Sequence, residues 1–240
     1  MNKKPIIGII PTFNKGYPNE DPYLDTAFFV RLYADKVAES GGIPIGLTTS
    51  SADIYTDICD GYLWPGGTKI NYEYFPLLED AILNKKPVLG ICLGAQAISV
   101  YFNLLSDKLN HADKTLQEVY DLYKIENPYL KEVNNVDKHK KCVTRNEESI
   151  NNSKHEIEII SEDSFIYEIY QTKNLKMPSL HKHCINRVCN DLIITAKHED
   201  VIEAIEYHQH NNKILGVQFH PELLDDKKIF AWLISNCNKE

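Results

Sequence analysis

Two short segments carry residues that could do covalent chemistry. The first is Pro87-Val88-Leu89-Gly90-Ile91-Cys92-Leu93-Gly94-Ala95-Gln96, an apolar run that passes through G-x-C-x-G into a helical pattern. This is the cysteine form of the nucleophile elbow. A tight strand-to-helix turn projects the thiol outward, and glycines two positions either side keep strand and helix from colliding. The helix N-terminus favours the thiolate. The Leu93 N–H then faces the position where an oxyanion would develop. The second segment is Gly216-Val217-Gln218-Phe219-His220-Pro221-Glu222. A strand delivers His220 at its end, Pro221 holds His220 out of the helical region, and Glu222 lies close enough to fix the imidazole tautomer. Cys92, His220 and Glu222 thus form a candidate nucleophile, base and orienting carboxylate.

The elements around these segments have to place them together. The first half of the chain alternates strands and helices. Strands are expected at Pro5–Ile10, Ile43–Leu47, Gly61–Trp64 and Val88–Cys92. Helices are expected at 26–40, where Phe29, Val30, Tyr33, Val37 and Ala38 have helical apolar spacing and Asp25 is the N-cap, and at 50–58, Tyr72–Asn84 and Gly94–Phe102. This rhythm predicts a parallel sheet with helices on both faces, and ligands in such sheets bind at the carboxyl ends of strands. The segment 103–152 is polar and has no clean period beyond a helix near 115–123. Its basic run Lys138-His139-Lys140-Lys141 reads as a solvated loop. The last third is β-rich, with strands at His155–Ile160, Leu192–Ala196, Val201–Tyr207 and Lys213–Phe219. The last two are joined as a hairpin through 208–212, and a helix around Phe230 closes the chain. The expected fold is α/β: a flavodoxin-like, mostly parallel sheet flanked by helices, with a C-terminal antiparallel extension, forming one domain over 1–240.

Composition narrows the partners. The 240 residues carry a net charge of −8, with 43% apolar and 25% charged residues. An acidic chain argues against nucleic acid, which wants a basic face. No run approaches the ~18 apolar residues of a membrane span. The six cysteines include no C-x-x-C pair. With no export signal, a cytoplasmic protein with free thiols is expected. The histidines His181, His183, His208 and His210 are poorly spaced for zinc, so neither a metal nor a cofactor is expected.

The elbow and the His-Pro-Glu segment together resemble the class I glutamine amidotransferase superfamily. Three further stretches resemble its γ-glutamyl-γ-aminobutyrate hydrolase (peptidase C26) family: Tyr33–Pro44 with its glycine pair, Gly61–Gly67 as an oxyanion loop, and Val201–Glu206 leading to His220. The resemblance implies that Cys92 attacks a γ-glutamyl carbonyl to form a thioester. His220 would protonate the leaving amine and then activate water. It also implies an oxyanion site at Gly66, Gly67 and Leu93, a substrate contact at Gln96, and Ser179 and His181 near the glutamyl α-groups. The partner would be a small γ-glutamyl substrate, and a homodimer is compatible with this. Three positions depart from the family pattern. Leu93 stands where Arg is usual, Asn103-Leu104 replaces a Gly-Gly pair, and Pro178–His183 keeps only Ser179 and His181 of an Asn-Ser-x-His-His-Gln stretch. Two other readings stand beside hydrolysis: a glutaminase subunit feeding ammonia to a synthase, and a binding protein for a γ-glutamyl metabolite without catalysis.

Overall fold

A computed structural model describes residues 3–13, 20–24, 26–49, 51, 53–109, 111, 113–122, 128–139, 143–144 and 146–237. Nine strands form one sheet: β1 Ile6–Ile9, β2 Ile43–Gly46, β3 Gly61–Trp64, β4 Val88–Ile91, β5 Lys154–Ile159, β6 Asn174–Pro178, β7 Ile193–His198, β8 Val201–Tyr207 and β9 Ile214–Val217. Their spatial order is β2-β1-β3-β4-β9-β8-β7-β5-β6. The first five in that order run parallel, and the remaining four extend the sheet antiparallel. The expected α/β class and the antiparallel extension are both present.

The core explains why the parallel strands are apolar throughout. Leu63, Leu89, Leu215 and Val217 belong to one buried cluster, while Tyr62, Trp64, Val88 and Ile214 belong to another. Successive residues of a strand point to opposite faces, so a sheet covered on both sides buries every position of the central strands β3, β4 and β9, while the edge strand β2 stays partly exposed. Helices α1 Arg31–Glu39 and α5 Lys228–Ser235 feed the first cluster; α2 Phe75–Asn84 and α3 Leu93–Lys108 feed the second. Helix α4, Phe165–Tyr170, joins α5 on the first face.

Several boundaries differ from those expected. Helix α1 begins only at Arg31, because Ala27–Phe28 is drawn into a two-stranded ribbon with Thr12–Phe13. The Asp25 cap lies outside the described residues, and Val30 occupies the N-cap without a side-chain bond. The helix expected over 50–58 is a single turn, Asp53–Thr56, and α3 runs six residues past Phe102. Strand β6, helix α4 and a ribbon pairing Leu130–Glu132 with His183–Ile185 had no clear signal in the sequence. His139 corrects the reading of 138–141 as a solvated loop. It ends the helical turn Val136–His139 and is buried against other histidines. Lys140 and Lys141 lie outside the described residues.

The decisive topological feature is β9. It closes the expected hairpin with β8, yet it also pairs parallel with β4, with Val217 opposite Ile91. The last strand in sequence therefore lies beside the strand that ends in the elbow. Among the described residues, no helix is long and apolar enough to cross a membrane.

Candidate active site

Cys92 follows β4 and caps α3 with φ 52° and ψ −103°. A non-glycine residue in this region is strained, and only surrounding structure that fixes both neighbouring elements keeps it there. The flanking glycines supply that structure. A Cβ on Gly94 would lie 2.0 Å from the Trp64 carbonyl oxygen, and one on Gly90 would lie 2.7 Å from the Gly94 carbonyl. The Cys92 N–H donates to the Val217 carbonyl at 2.7 Å, so the elbow is tied directly to β9.

Three residues beyond Val217, His220 sits at φ −112°, ψ 78°, the non-helical geometry that Pro221 requires. Its backbone N–H donates to the Pro178 carbonyl at 2.9 Å, which ties it to the end of β6. Its Nδ1 bonds Glu222 Oε1 at 2.7 Å, with both residues buried. That bond occupies Nδ1, and Nε2 is buried without a hydrogen-bond partner. Burial works against a charged imidazole here. The Glu222 carboxylate and then Cys92 act the other way and hold His220 well above the ordinary histidine range.

Gly66 brings the separate elements to one point. A Cβ there would fall 3.1 Å from His220 Cε1, 3.1 Å from the Tyr33 hydroxyl and 3.5 Å from Cys92 Cβ. Cys92, His220 and Glu222 are therefore gathered around one loop from β3, β4 and β9. Tyr33 is the member that sequence reasoning missed. Its hydroxyl donates to Glu222 Oε1 at 2.9 Å and accepts the Gly66 N–H at 3.2 Å. Burial, and then the Glu222 charge, push its pKa well up, so it remains a donor. Its helical spacing marked it only as a core residue. The usable signal was that a buried tyrosine needs a partner for its hydroxyl.

The sequence model of the family described as Peptidase C26 matches residues 71–222, which include the elbow and reach the His-Pro-Glu segment. The chain belongs to the peptidase C26 family. The glutamine amidotransferase-like protein RP404 of Rickettsia prowazekii is 29% identical over 95% of both chains. The glutaminase domain of the Trypanosoma brucei CTP synthase, solved with bound acivicin, superposes with a TM-score of 0.63 at 16% identity. That match covers 97% of this chain and 93% of the other. A Thermoplasma acidophilum protein described as a GMP synthase component gives a TM-score of 0.62 at 15% identity, over 99% of this chain and 96% of its own. At these identities, the two structures share the fold.

Within this C26 chain the remaining expected site residues divide. Gly67 abuts the Leu93 side chain, whose Cδ2 would lie 2.9 Å from a Cβ on Gly67. The Gly66 N–H is already used by Tyr33. Gln96 is buried, and its amide donates to the His183 carbonyl at 2.9 Å and to Gln218 Oε1 at 3.0 Å, tying α3 to neighbouring segments. Ser179 Oγ donates to the His139 carbonyl, and His181 faces Glu203. Both belong to a second buried cluster rather than to the group around Gly66. A large cleft, about 1110 Å³, is lined by Asp53, Asp57, Asp60, Asp80 and Lys86. It lies by the N-terminal ends of β1 and β3, away from Cys92.

Proposed function

We propose that this protein hydrolyses γ-glutamyl amide bonds through Cys92, His220 and Glu222. The observation that carries this reading is the buried His220–Glu222 bond beside a cysteine held at positive φ on a strand-to-helix elbow. The Cys92 sulfur attacks the γ-carbonyl, and the C–S bond forms as the carbonyl oxygen takes the negative charge. The backbone N–H groups of Gly67 and Leu93 hold that oxygen, each such donor contributing roughly 3 kcal/mol. The intermediate collapses, His220 protonates the departing amine, and a γ-glutamyl thioester remains. His220 then takes a proton from water. The resulting attack breaks the C–S bond and releases glutamate. Glu222 keeps the imidazole in the required tautomer throughout.

The test is a screen of γ-glutamyl amides, including γ-glutamyl-γ-aminobutyrate, read by released amine. Turnover that falls by about 10³-fold or more in Cys92→Ala supports the mechanism. Full turnover in that variant overturns it. A glutamine-analogue electrophile should add a single mass at Cys92.

A second reading, a glutaminase that docks on a synthase, is favoured by one observation. Phe28, Phe29 and Val30 form a consecutive exposed apolar run just before α1. Under this reading, glutamine hydrolysis rises only when the synthase is added. Steady turnover of γ-glutamyl amides by the isolated chain decides for the first.

A further inference from the structure

A second constellation of reactive side chains lies outside the site described above. It draws on five separate parts of the chain: His139 at the end of Val136–His139, His155 on β5, His181 beyond β6, His198 at the end of β7, and Glu203 on β8. His139, His155 and His181 are buried, and Glu203 is 0% exposed. Glu203 Oε1 is the hub. His155 Nε2 lies 3.3 Å from it, His181 Nε2 3.7 Å and His139 Nδ1 3.9 Å.

These approaches lack the geometry of hydrogen bonds. Both Glu203 oxygens and all three facing nitrogens are buried without a hydrogen-bond partner. The tautomers sharpen the point. His181 Nδ1 donates to the His183 carbonyl at 3.1 Å, so in the neutral ring Nε2 carries a lone pair that faces the Glu203 carboxylate. His198 Nδ1 likewise donates to the Glu156 carbonyl, and its Nε2 is also without a partner. Acceptors facing acceptors in a dry interior are destabilising unless a cation, either a metal ion or a proton, stands between them.

The spacing suits such a cation. Tetrahedral zinc with bonds near 2.0–2.1 Å places its ligand atoms about 3.3–3.4 Å apart. Ligand atoms of His139, His181 and Glu203 all lie within 4.8 Å of one another. His155 belongs to a second such triad with His139 and His198 and reaches the first through Glu203 at 3.3 Å, so closing it onto the same ion as His181 takes a shift of its ring. An imidazole whose second nitrogen donates to a backbone carbonyl is the usual support for a metal-bound histidine. The scaffold is fixed as well. The His139 carbonyl accepts from the Ser179 hydroxyl at 2.9 Å and the His181 N–H at 3.1 Å, and the Glu203 carbonyl accepts from the Gln218 N–H at 2.9 Å.

We propose that His139, His155, His181 and Glu203 form a buried site for a divalent transition-metal ion of the zinc type, with His198 beside it. Three imidazoles and one carboxylate are a borderline donor set that matches zinc rather than calcium or magnesium. All four positions are filled by protein, so the ion's role is structural. It fastens the 136–139 turn to β5, β6 and β8, the framework from which Pro178 holds the His220 backbone. The spacing of histidines along the sequence gave no reason to expect a metal, because the ligands come from separate elements that only the fold assembles.

The test uses the full chain with Cys92→Ala, which removes a thiol that could take up zinc by itself. The protein is stripped with chelator, loaded with Zn²⁺ alone, passed through gel filtration and assayed for metal. One equivalent per chain is expected. Loading with Co²⁺ should give the visible absorption of a four-coordinate ion. His155→Ala and Glu203→Gln should each weaken zinc at least about tenfold in competition with a chromophoric chelator. Substoichiometric retention overturns the proposal, as does undiminished binding by folded variants. Such a result would assign the cluster to protonated imidazoles paired with Glu203. Zinc anomalous scattering from crystals of the same protein needs no change to the cluster and decides the matter even where a variant does not fold. A peak bounded by Glu203, His155 and His181 supports the site; no peak, or a peak elsewhere, refutes it.

Discussion

The Tyr33 hydroxyl donates to Glu222 Oε1 across a sequence separation of 189 residues and accepts the Gly66 N–H. One side chain of α1 therefore sets both the carboxylate that orients His220 and the loop that borders Cys92. Tyr33→Phe keeps the ring packing and removes both bonds. A buried hydrogen bond to a charged group contributes about 1.5–3 kcal/mol, so kcat/KM for γ-glutamyl amide hydrolysis should fall about 10- to 100-fold. A purely structural role would lower stability without touching the pH profile. A positioning role shifts the profile as well.

The raised pKa of His220 makes a prediction about pH. With the imidazole charged through neutrality, the alkaline limb of kcat/KM should report its deprotonation. Glu222→Gln removes the charge that most raises it, and the limb should move down by about one unit or more. A limb that stays in place in this variant would assign it to another group.

The same shift bears on stability. A histidine whose folded pKa lies above its unfolded value of about 6.5 adds stability that is fully present below that pH. That contribution is lost as pH rises through the folded value. Urea denaturation of the wild type and His220→Asn should therefore differ most at acidic pH, and the gap should close on the alkaline side. A gap that widens with pH would reverse the assignment.

Gly94→Ala tests the elbow as a steric device. The added methyl would lie 2.0 Å from a backbone oxygen that cannot rotate away, so strand β3 and helix α3 would have to separate. We expect a loss of about 3 kcal/mol or more in chemical denaturation, or no folded protein.

Asn103 accounts for one departure from the family pattern. Its Nδ2 donates to the Arg187 carbonyl at 2.9 Å and to the Ser99 carbonyl at 2.8 Å, both from a fully buried position. Restoring the more usual residue with Asn103→Gly removes both buried bonds and places glycine inside a helix. The expected destabilisation is about 1.5–2.5 kcal/mol by urea denaturation, with little change in kcat/KM.

The chemistry-bearing segments were legible in the sequence because their constraints are local. Gly90, Cys92 and Gly94 record a turn in which strand and helix cannot touch, and Pro221 records the extended geometry of His220. Both requirements act over a few bonds and leave residue types behind. The alternation of apolar runs likewise marked the strands that end at these segments. Tyr33 and the cluster around Glu203 left no such trace. Helical spacing made Tyr33 one apolar position among several, and the charge of Lys138 to Lys141 pointed His139 toward solvent. Their partners lie tens to nearly two hundred residues away. Only the pairing of β9 with β4, and of β8 with β9, decides which side chains meet. Local sterics write themselves into sequence, whereas sheet register and packing choose the distant partners of a buried hydroxyl or imidazole.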